Sequence, residues 1–286
     1  MTSTAQKVWF ITGASRGFGV LTAKQALERG DFVVATARDP NSVIAALGEH
    51  PNLLAVRLDV KLEAQAVSAA QQAVARFGRI DVLVNNAGYG LLGAVEESNA
   101  DEVRALYETN VFGLLNVTRA VLPVMRKQGS GHIVNISSVG GYSAYAGWGV
   151  YGSTKFAVEG LSEALSMELA PLGIHATVVE PGFFRTDFLD ASSLVSTRER
   201  IGDYAATVGA MRDFAGDANH RQPGDPVKFA AALMRLADSE HPPVRLQLGS
   251  DTVARVRAKN QSVDKEMNDW MELAVSTDHV ALKDAA

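Results

Sequence analysis

A doubly wound α/β fold, with a parallel seven-stranded sheet and helices on both faces, is the architecture this sequence predicts. Three observations carry it. Short β-branched runs alternate with longer amphipathic stretches along most of the 286 residues, which is the rhythm of strand–helix–strand units joined by right-handed crossovers. Several of the short runs are apolar almost throughout, as strands covered on both faces are. The first run ends in a glycine-rich turn that opens into a helical pattern.

Taken in order, the chain opens on a strand at Val8–Thr12, followed by a helix over about Gly19–Arg29. Phe32–Thr36 reads as the second strand, and Asp39-Pro40 after it as an N-cap with proline at the first helical position. Leu53–Leu58 is the third strand, with a helical stretch at Leu62–Phe77. Val82–Val84 precedes a long amphipathic stretch, Ala100–Arg126, and His132–Ile136 precedes another, Tyr151–Ala170. His175–Val179, the helical Pro226–Ala237 and Val244–Leu248 complete the series.

A single domain is expected over residues 1–286, with no internal repeat and no linker. Two segments break the rhythm. Residues 183–223 mix aromatics with charges and contain no clear strand, as an active-site lid would. Residues 250–286 form a polar extension, expected to be helical to about Thr277 and to serve packing or assembly.

Bulk properties exclude several classes. A net charge of −5 gives no reason to expect a nucleic-acid or anionic-membrane partner. The absence of cysteine removes disulfides, thiolate nucleophiles and cysteine-ligated metals together. The six histidines, at 50, 132, 175, 220, 241 and 279, show no ligand spacing, so no metal is expected. The polar start, MTSTAQK, does not read as a signal peptide, and no apolar run approaches the roughly 18 residues needed to cross a bilayer. A cytoplasmic protein is the expectation.

The turn Gly13-Ala14-Ser15-Arg16-Gly17-Phe18-Gly19 has the form of a phosphate cradle. Gly13 permits the tight exit from the strand, Gly17 lets a pyrophosphate approach the backbone, and Gly19 lets the helix pack closely on the sheet. The new helix presents unpaired N–H groups and the positive end of its dipole. At the end of the second strand, an NAD site would carry an acid for the ribose 2′-hydroxyl. Ala37 stands there instead, followed by Arg38. A guanidinium can pair bidentately with a 2′-phosphate, with Arg16 approaching from the other side, so NADP(H) is the expected cofactor.

Tyr151 and Lys155 lie four residues apart at the start of a helical stretch and therefore share a face. Ser138 sits just past the strand His132–Ile136, at the end of the sheet where ligands bind. The Tyr–Lys pair is weak by itself; the surrounding series makes it specific. In order come the glycine turn, Leu58-Asp59-Val60, Asn85-Asn86-Ala87-Gly88, Asn110, Ser137-Ser138, Tyr151-Gly-Ser-Thr-Lys155 and Pro181-Gly182 leading to Thr186. Over roughly residues 7 to 249 the chain resembles a single-domain member of the short-chain dehydrogenase/reductase family, with its Rossmann-like fold.

The resemblance implies a catalytic tetrad of Asn110, Ser138, Tyr151 and Lys155 acting on an alcohol or carbonyl. Asp59 and Val60 would meet adenine, Asn86-Ala87-Gly88 its ribose, and Pro181, Gly182 and Thr186 the nicotinamide end. The expected cofactor-binding set is thus Gly13, Ser15, Arg16, Gly17, Phe18, Gly19, Arg38, Asp59, Val60, Asn86, Ala87, Gly88, Tyr151, Lys155, Pro181, Gly182, Phe184 and Thr186. Lys155 and oxidised nicotinamide are expected to lower the Tyr151 pKa, and Asn110 to hold a water that links Lys155 to solvent. Phe183, Phe184, Phe188, Leu189, Tyr204, Met211 and Phe214 are candidates for an apolar substrate wall, and Asn135 and Glu180 read as structural.

The alternatives are a catalytically silent NADP(H)-sensing protein and a sugar-nucleotide epimerase; the intact tetrad argues against the first, and glycine spacing and length against the second. Because the chain runs more than thirty residues past the seventh strand, a homodimer or a monomer is expected rather than the family's common tetramer.

Overall fold

The computed structural model describes residues 6–279. The first five residues of the polar start and residues 280–286 of the carboxyl-terminal extension lie outside the described residues. The elements in chain order are β1 (Val8–Thr12), α1 (Gly17–Glu28), β2 (Phe32–Ala37), α2 (Asn41–Leu47), β3 (Leu53–Arg57), α3 (Glu63–Phe77), β4 (Val82–Asn85) and β5 (Gly90–Leu92). They continue with α4 (Ala100–Tyr107), α5 (Gly113–Gln128), β6 (Gly131–Ile136), α6 (Gly149–Leu169), β7 (Ile174–Pro181) and β8 (Leu194–Ser196). The last are α7 (Ala210–Ala218), α8 (Pro226–Ala237), β9 (Arg245–Leu248), α9 (Ser250–Asp269) and α10 (Met271–Val275).

Seven strands form one parallel sheet in the order β3-β2-β1-β4-β6-β7-β9. Alternate residues of each strand feed opposite cores, as the two-residue period of a strand requires. Val8 and Phe10 face α3 and α5, where Ala66, Ala69, Ala70 and Ala73 make a flat stripe at helical spacing beside Val117, Val121 and Met125. Trp9 and Ile11 face α1 and α8, against Ala23, Ala26, Phe229 and Leu233. The architecture is Rossmann-like. The chain winds outward from β1 to β3, then returns to place β4 on the other side of β1. The crevice at the carboxyl ends of β1 and β4 is therefore the topological switch point where such sheets bind ligands.

Three features depart from the sequence reading. The stretch Ala100–Arg126 is not one helix: a π-helical turn, Glu108–Phe112, separates α4 from α5. The wider turn changes the helix's phase, and α5 then approaches so closely that a Cβ on Gly113 would lie 2.6 Å from Val60 Cγ2. Second, the helix expected to be capped by Asp39 is short: α2 begins at Asn41, with Pro40 at the cap position, and the Asp39 carboxylate accepts the Asn41 amide at 3.0 Å.

Third, segment 183–223 does contain a strand and a helix. β8 pairs in parallel with β5, and α7 follows. Strands of three residues have too little side-chain pattern to be legible; the pairing arises only because the fold brings the two backbones together.

Glu97 anchors that segment. Its side chain is 0 % exposed, and its carboxylate accepts the Ala94 amide at 2.8 Å and the Ile201 amide at 2.9 Å and pairs with Arg212. Arg212 also donates to Thr197 Oγ1 at 3.2 Å. Burial alone would raise the carboxyl pKa, but the two amides and the guanidinium hold it at about 2. Among the described residues no helix is long and apolar enough to cross a membrane.

A carboxyl lowered on folding contributes stability above its ordinary value of 4.5 and loses it as the pH falls toward about 2. Glu97→Gln should therefore speed amide hydrogen exchange across residues 197–212 at pH 7. The wild-type protein should lose the same protection selectively on acidification below about pH 4.5. Equal protection in variant and wild type would show that Glu97 does not hold the segment.

Candidate active site

The crevice at the switch point opens into a cavity of about 640 Å³. Of the expected catalytic and cofactor-binding residues, all but Gly19 and Asn110 line it, and those two form its backing. Gly13 and Gly17 take left-handed conformations, with φ of +65° and +55°. A Cβ on Gly19 would lie 2.4 Å from the Gly13 carbonyl, so only glycine lets α1 start this close to β1.

A reciprocal clamp joins the turn to the end of β4. The Thr12 hydroxyl accepts the Asn86 and Ala87 amides at 2.9 and 3.0 Å, and Asn86 Nδ2 donates to the Thr12 and Gly13 carbonyls at 2.9 and 3.1 Å. The amino end of α1 has no side-chain cap. Its amides and the open space over Gly17 suit a phosphate-bearing nucleotide. Phe18 is held outside that space, stacked on Phe229 with ring centroids 3.7 Å apart, and Phe184 meets both edge-on.

Charge is unevenly distributed around the cavity. Arg16, Arg38, Asp59 and Lys61 line it from the ends of β1, β2 and β3. Arg38 is exposed and has no hydrogen-bond or ion-pair partner among the described residues. Arg16 Nη2 donates to the Ser192 carbonyl in segment 183–223 at 2.6 Å. Elsewhere the lining is largely aromatic and aliphatic, with Tyr145, Trp148, Phe183, Phe188 and Leu189, and beyond Lys155 its only other charged side chain is Asp187. Tyr204, Met211 and Phe214, also expected there, do not line the cavity. Phe214 packs edge-on behind Phe183 at 5.6 Å.

The reactive side chains converge at this apolar end. Tyr151 and Lys155 project from the first turns of α6 and are both buried. Trp148 and Phe188 pack on the Tyr151 ring at 5.5 and 5.7 Å. Burial raises the phenol pKa above 10.0, and a hydrogen bond with Ser138 offsets only part of the rise. This direction opposes the expectation from sequence, because desolvation by the aromatic wall dominates and the Lys155 ammonium is drawn elsewhere. Lys155 Nζ donates to the Ile136 carbonyl at 2.9 Å and lies 5.8 Å from the centre of the Tyr151 ring. Burial pushes Lys155 down to about 8, with Glu159, one turn along α6, acting in the other direction.

Asn110 occupies the π-helical turn, and its side chain braces the chain after β4. Nδ2 donates to the Tyr89 carbonyl at 3.0 Å and to Thr154 Oγ1 at 3.2 Å, while Oδ1 accepts the Tyr89 amide at 3.1 Å. The space that a Cβ on Gly88 would fill lies 3.2 Å from Asn110 Oδ1 and 3.7 Å from Lys155 Nζ. Glycine thus leaves room between the two groups for a small polar molecule.

The glycine- and aromatic-rich loop Gly140–Gly149, expected from sequence to border the substrate, brings Gly140, Tyr145 and Trp148 to the wall. One residue was missed at the sequence level. Glu159 is buried and pushed up to about 7, first by burial and also by Glu180, with Arg245 3.3 Å away opposing the rise. Its signal was the four-residue step from Lys155. Glu180 accepts from Gln247 at 3.1 Å, and Asn135 bridges Asn85 and Ser162 at 2.9 Å each.

The base of α9 braces the rim. Asp251 accepts the Phe183 amide at 2.8 Å. Arg255 donates to Ser143 at 2.9 Å and to the Ala144 carbonyl at 2.7 Å, and lies 4.2 Å over the Tyr145 ring. Folding also brings Asp187, Asp190 and His220 together, with potential ligand atoms within 4.8 Å of one another. No sequence spacing announced this exposed group, and Asn219 already donates to Asp190.

Comparison with known proteins agrees with this geometry. A family model described as short chain dehydrogenase matches residues 7–194. An oxidoreductase of Botryotinia fuckeliana, BOA17, is 38% identical over 273 residues, covering 95% of this chain and 99% of its own. The 3-ketodihydrosphingosine reductase of Bacteroides thetaiotaomicron is 38% identical over 85% of this chain and 88% of its own. A short-chain dehydrogenase from Streptomyces avermitilis superposes with a TM-score of 0.88 at 42% identity, covering 96% of this chain and all of the other. Two further solved structures carry nicotinamide nucleotides. One, from Burkholderia phymatum, is in complex with NAD (TM-score 0.80, 26% identity, 93% and 97% coverage). The other, ElxO, has NADP bound (TM-score 0.72, 28% identity, 87% and 99% coverage). By family model, by relatives matched along nearly the whole chain and by fold, the chain belongs to the short-chain dehydrogenase/reductase family of oxidoreductases.

Proposed function

We propose that this protein is an NADP(H)-dependent reductase or dehydrogenase that moves a hydride between nicotinamide and an uncharged, largely apolar ketone or secondary alcohol, with Tyr151 as general acid/base. The observation that carries the reading is the convergence of Tyr151, Lys155 and Ser138 on one cavity whose other end is the glycine cradle. The bound nicotinamide would supply or accept the hydride.

In reduction, negative charge develops on the carbonyl oxygen, and a positioned proton donor must neutralise it. The Ser138 hydroxyl orients and polarises that oxygen, and the Tyr151 phenol gives up its proton. The high phenol pKa keeps the proton in place until substrate arrives. Lys155, mostly cationic at neutral pH, stabilises the phenolate, as bound oxidised nicotinamide would. With its pKa near 8, Lys155 is also poised to return a proton. The pocket between Asn110 and Gly88 gives that exchange a route through water.

Names of relatives support the chemical class: one is a 3-ketodihydrosphingosine reductase, and structural neighbours hold NAD or NADP. The choice of NADP(H) rests on Arg38 and Arg16 framing an entrance where Ala37 replaces an acid. An apolar substrate follows from the aromatic wall. Small molecules, rather than nucleic acid or membrane, are the partners that the acidic balance favours.

Tyr151→Phe should lower turnover by at least ~10²-fold, the usual worth of a positioned acid, while NADPH titration of the same variant stays within a few-fold of wild type. Retained turnover would remove Tyr151 from the role; NADPH binding without turnover by the wild type across a broad ketone panel would favour a silent sensor. Arg38→Ala should weaken NADPH by roughly 10-fold or more, as loss of charge-assisted hydrogen bonds does, with little change for NADH; equal losses would count against the 2′-phosphate assignment. The rate of ketone reduction should hold steady through neutrality and fall above about pH 8, where Lys155 loses its charge. In Lys155→Arg that limb should move beyond the accessible range, and a limb that stays in place would belong to another group.

A further inference from the structure

α9 begins as a supported helix and ends as an unsupported one. Thr252 is buried and Val256 and Lys259 are half-buried against the body, whereas every residue from 260 to 279 is exposed. The apolar face does not stop where the support ends. Thr252, Val256 and Lys259 continue at steps of three and four into Val263, Met267 and Trp270, which keeps one side of the helix. Trp270 is 66% exposed, and α10 adds the exposed Met271, Leu273 and Val275. Single exposed apolar residues are ordinary; a contiguous seam ending in tryptophan marks an interaction surface. Beside it runs a groove of about 480 Å³ between α9 and α6, floored by Gly160 and walled by the exposed Phe156. Among the described residues nothing covers it.

Charge indicates what does. The first half of α9 carries Arg255, Arg257 and Lys259, while in its second half and α10 Asp264, Glu266, Asp269 and Glu272 outweigh Lys265. An anionic membrane surface or a nucleic acid would be repelled by the acidic half. A parallel copy of the helix would set like charges together. An antiparallel copy sets basic on acidic twice over, as a twofold axis requires.

We propose that α9 and α10 form a homodimerisation arm, with two copies of the chain pairing these helices antiparallel so that Met267 and Trp270 of each cover the seam and groove of the other. The homodimer expected from sequence thereby acquires a surface independent of the catalytic assignment. The arm's base holds the active-site rim through Arg255, and Asn260, which accepts the Tyr142 hydroxyl at 2.6 Å, ties the helix to the body beside the groove.

Sedimentation velocity of the full chain from below one to tens of micromolar is the test. The wild type should associate to a dimer, and Met267→Glu/Trp270→Glu should weaken it at least ~100-fold, the loss expected of two central anchors, with thermal unfolding of the body and turnover unchanged. Arg257→Glu/Lys259→Glu and Glu266→Lys/Asp269→Lys should each associate poorly alone and recover when mixed in equal amounts. A wild type that stays monomeric, a dimer that survives the Met267/Trp270 substitutions, charge-reversed partners that fail to recover on mixing, or wild-type binding to phosphatidylserine vesicles would each overturn the proposal.

Discussion

The clamp between the ends of β1 and β4 is the constraint from which the rest of the site follows. Thr12 and Asn86 exchange side-chain and backbone hydrogen bonds, each worth about 1 kcal/mol, at the point where the sheet reverses its winding. They lock the glycine turn open on one side and start the chain toward Tyr89 on the other. Asn110 then holds Tyr89 by both backbone groups. A single hydrogen-bonded path thus runs from the phosphate cradle to the π-helical turn behind Lys155. Few of its members touch the cavity with a reactive atom, yet they set the distance between its two ends.

Within that frame, burial rather than charge pairing governs the titrating groups. The Tyr151 phenol is raised by its aromatic surroundings, Lys155 is lowered, and Glu159 behind it is raised. Each shift favours the neutral form, as a low-dielectric pocket must. The result is a phenol that keeps its proton and an ammonium that parts with one readily. That is the resting state that the proposed role of Tyr151, a proton donor refilled after use, calls for.

Segment 183–223 is attached at several points rather than hinged at two. Glu97 and Arg212 fasten its outer part, β5 pairs with β8, Asp251 of α9 holds the Phe183 amide, and Arg16 reaches Ser192. The last contact joins the proposed nucleotide entrance to the segment over the proposed substrate end. The arginine proposed to meet a 2′-phosphate thereby also touches the chain that borders the proposed substrate end.

Sequence by itself determined the doubly wound parallel sheet, the glycine turn and the set of residues proposed to react, because these depend on local periodicity, on glycine where no Cβ fits and on motifs at fixed spacing. It could not show the split of the long stretch Ala100–Arg126, since a single π-helical turn shifts the phase within a pattern that is otherwise helical on both sides. Nor could it show the β5–β8 pair, Glu97 as a hub, or Glu159 beneath Lys155, which exist only through contacts between residues distant in the chain. The rise that burial imposes on Tyr151, against the lowering expected of Lys155 and nicotinamide, was out of reach for the same reason. Charges can be counted along a sequence, but desolvation depends on what surrounds a group, and the aromatic wall of Trp148 and Phe188 comes together only in the folded structure.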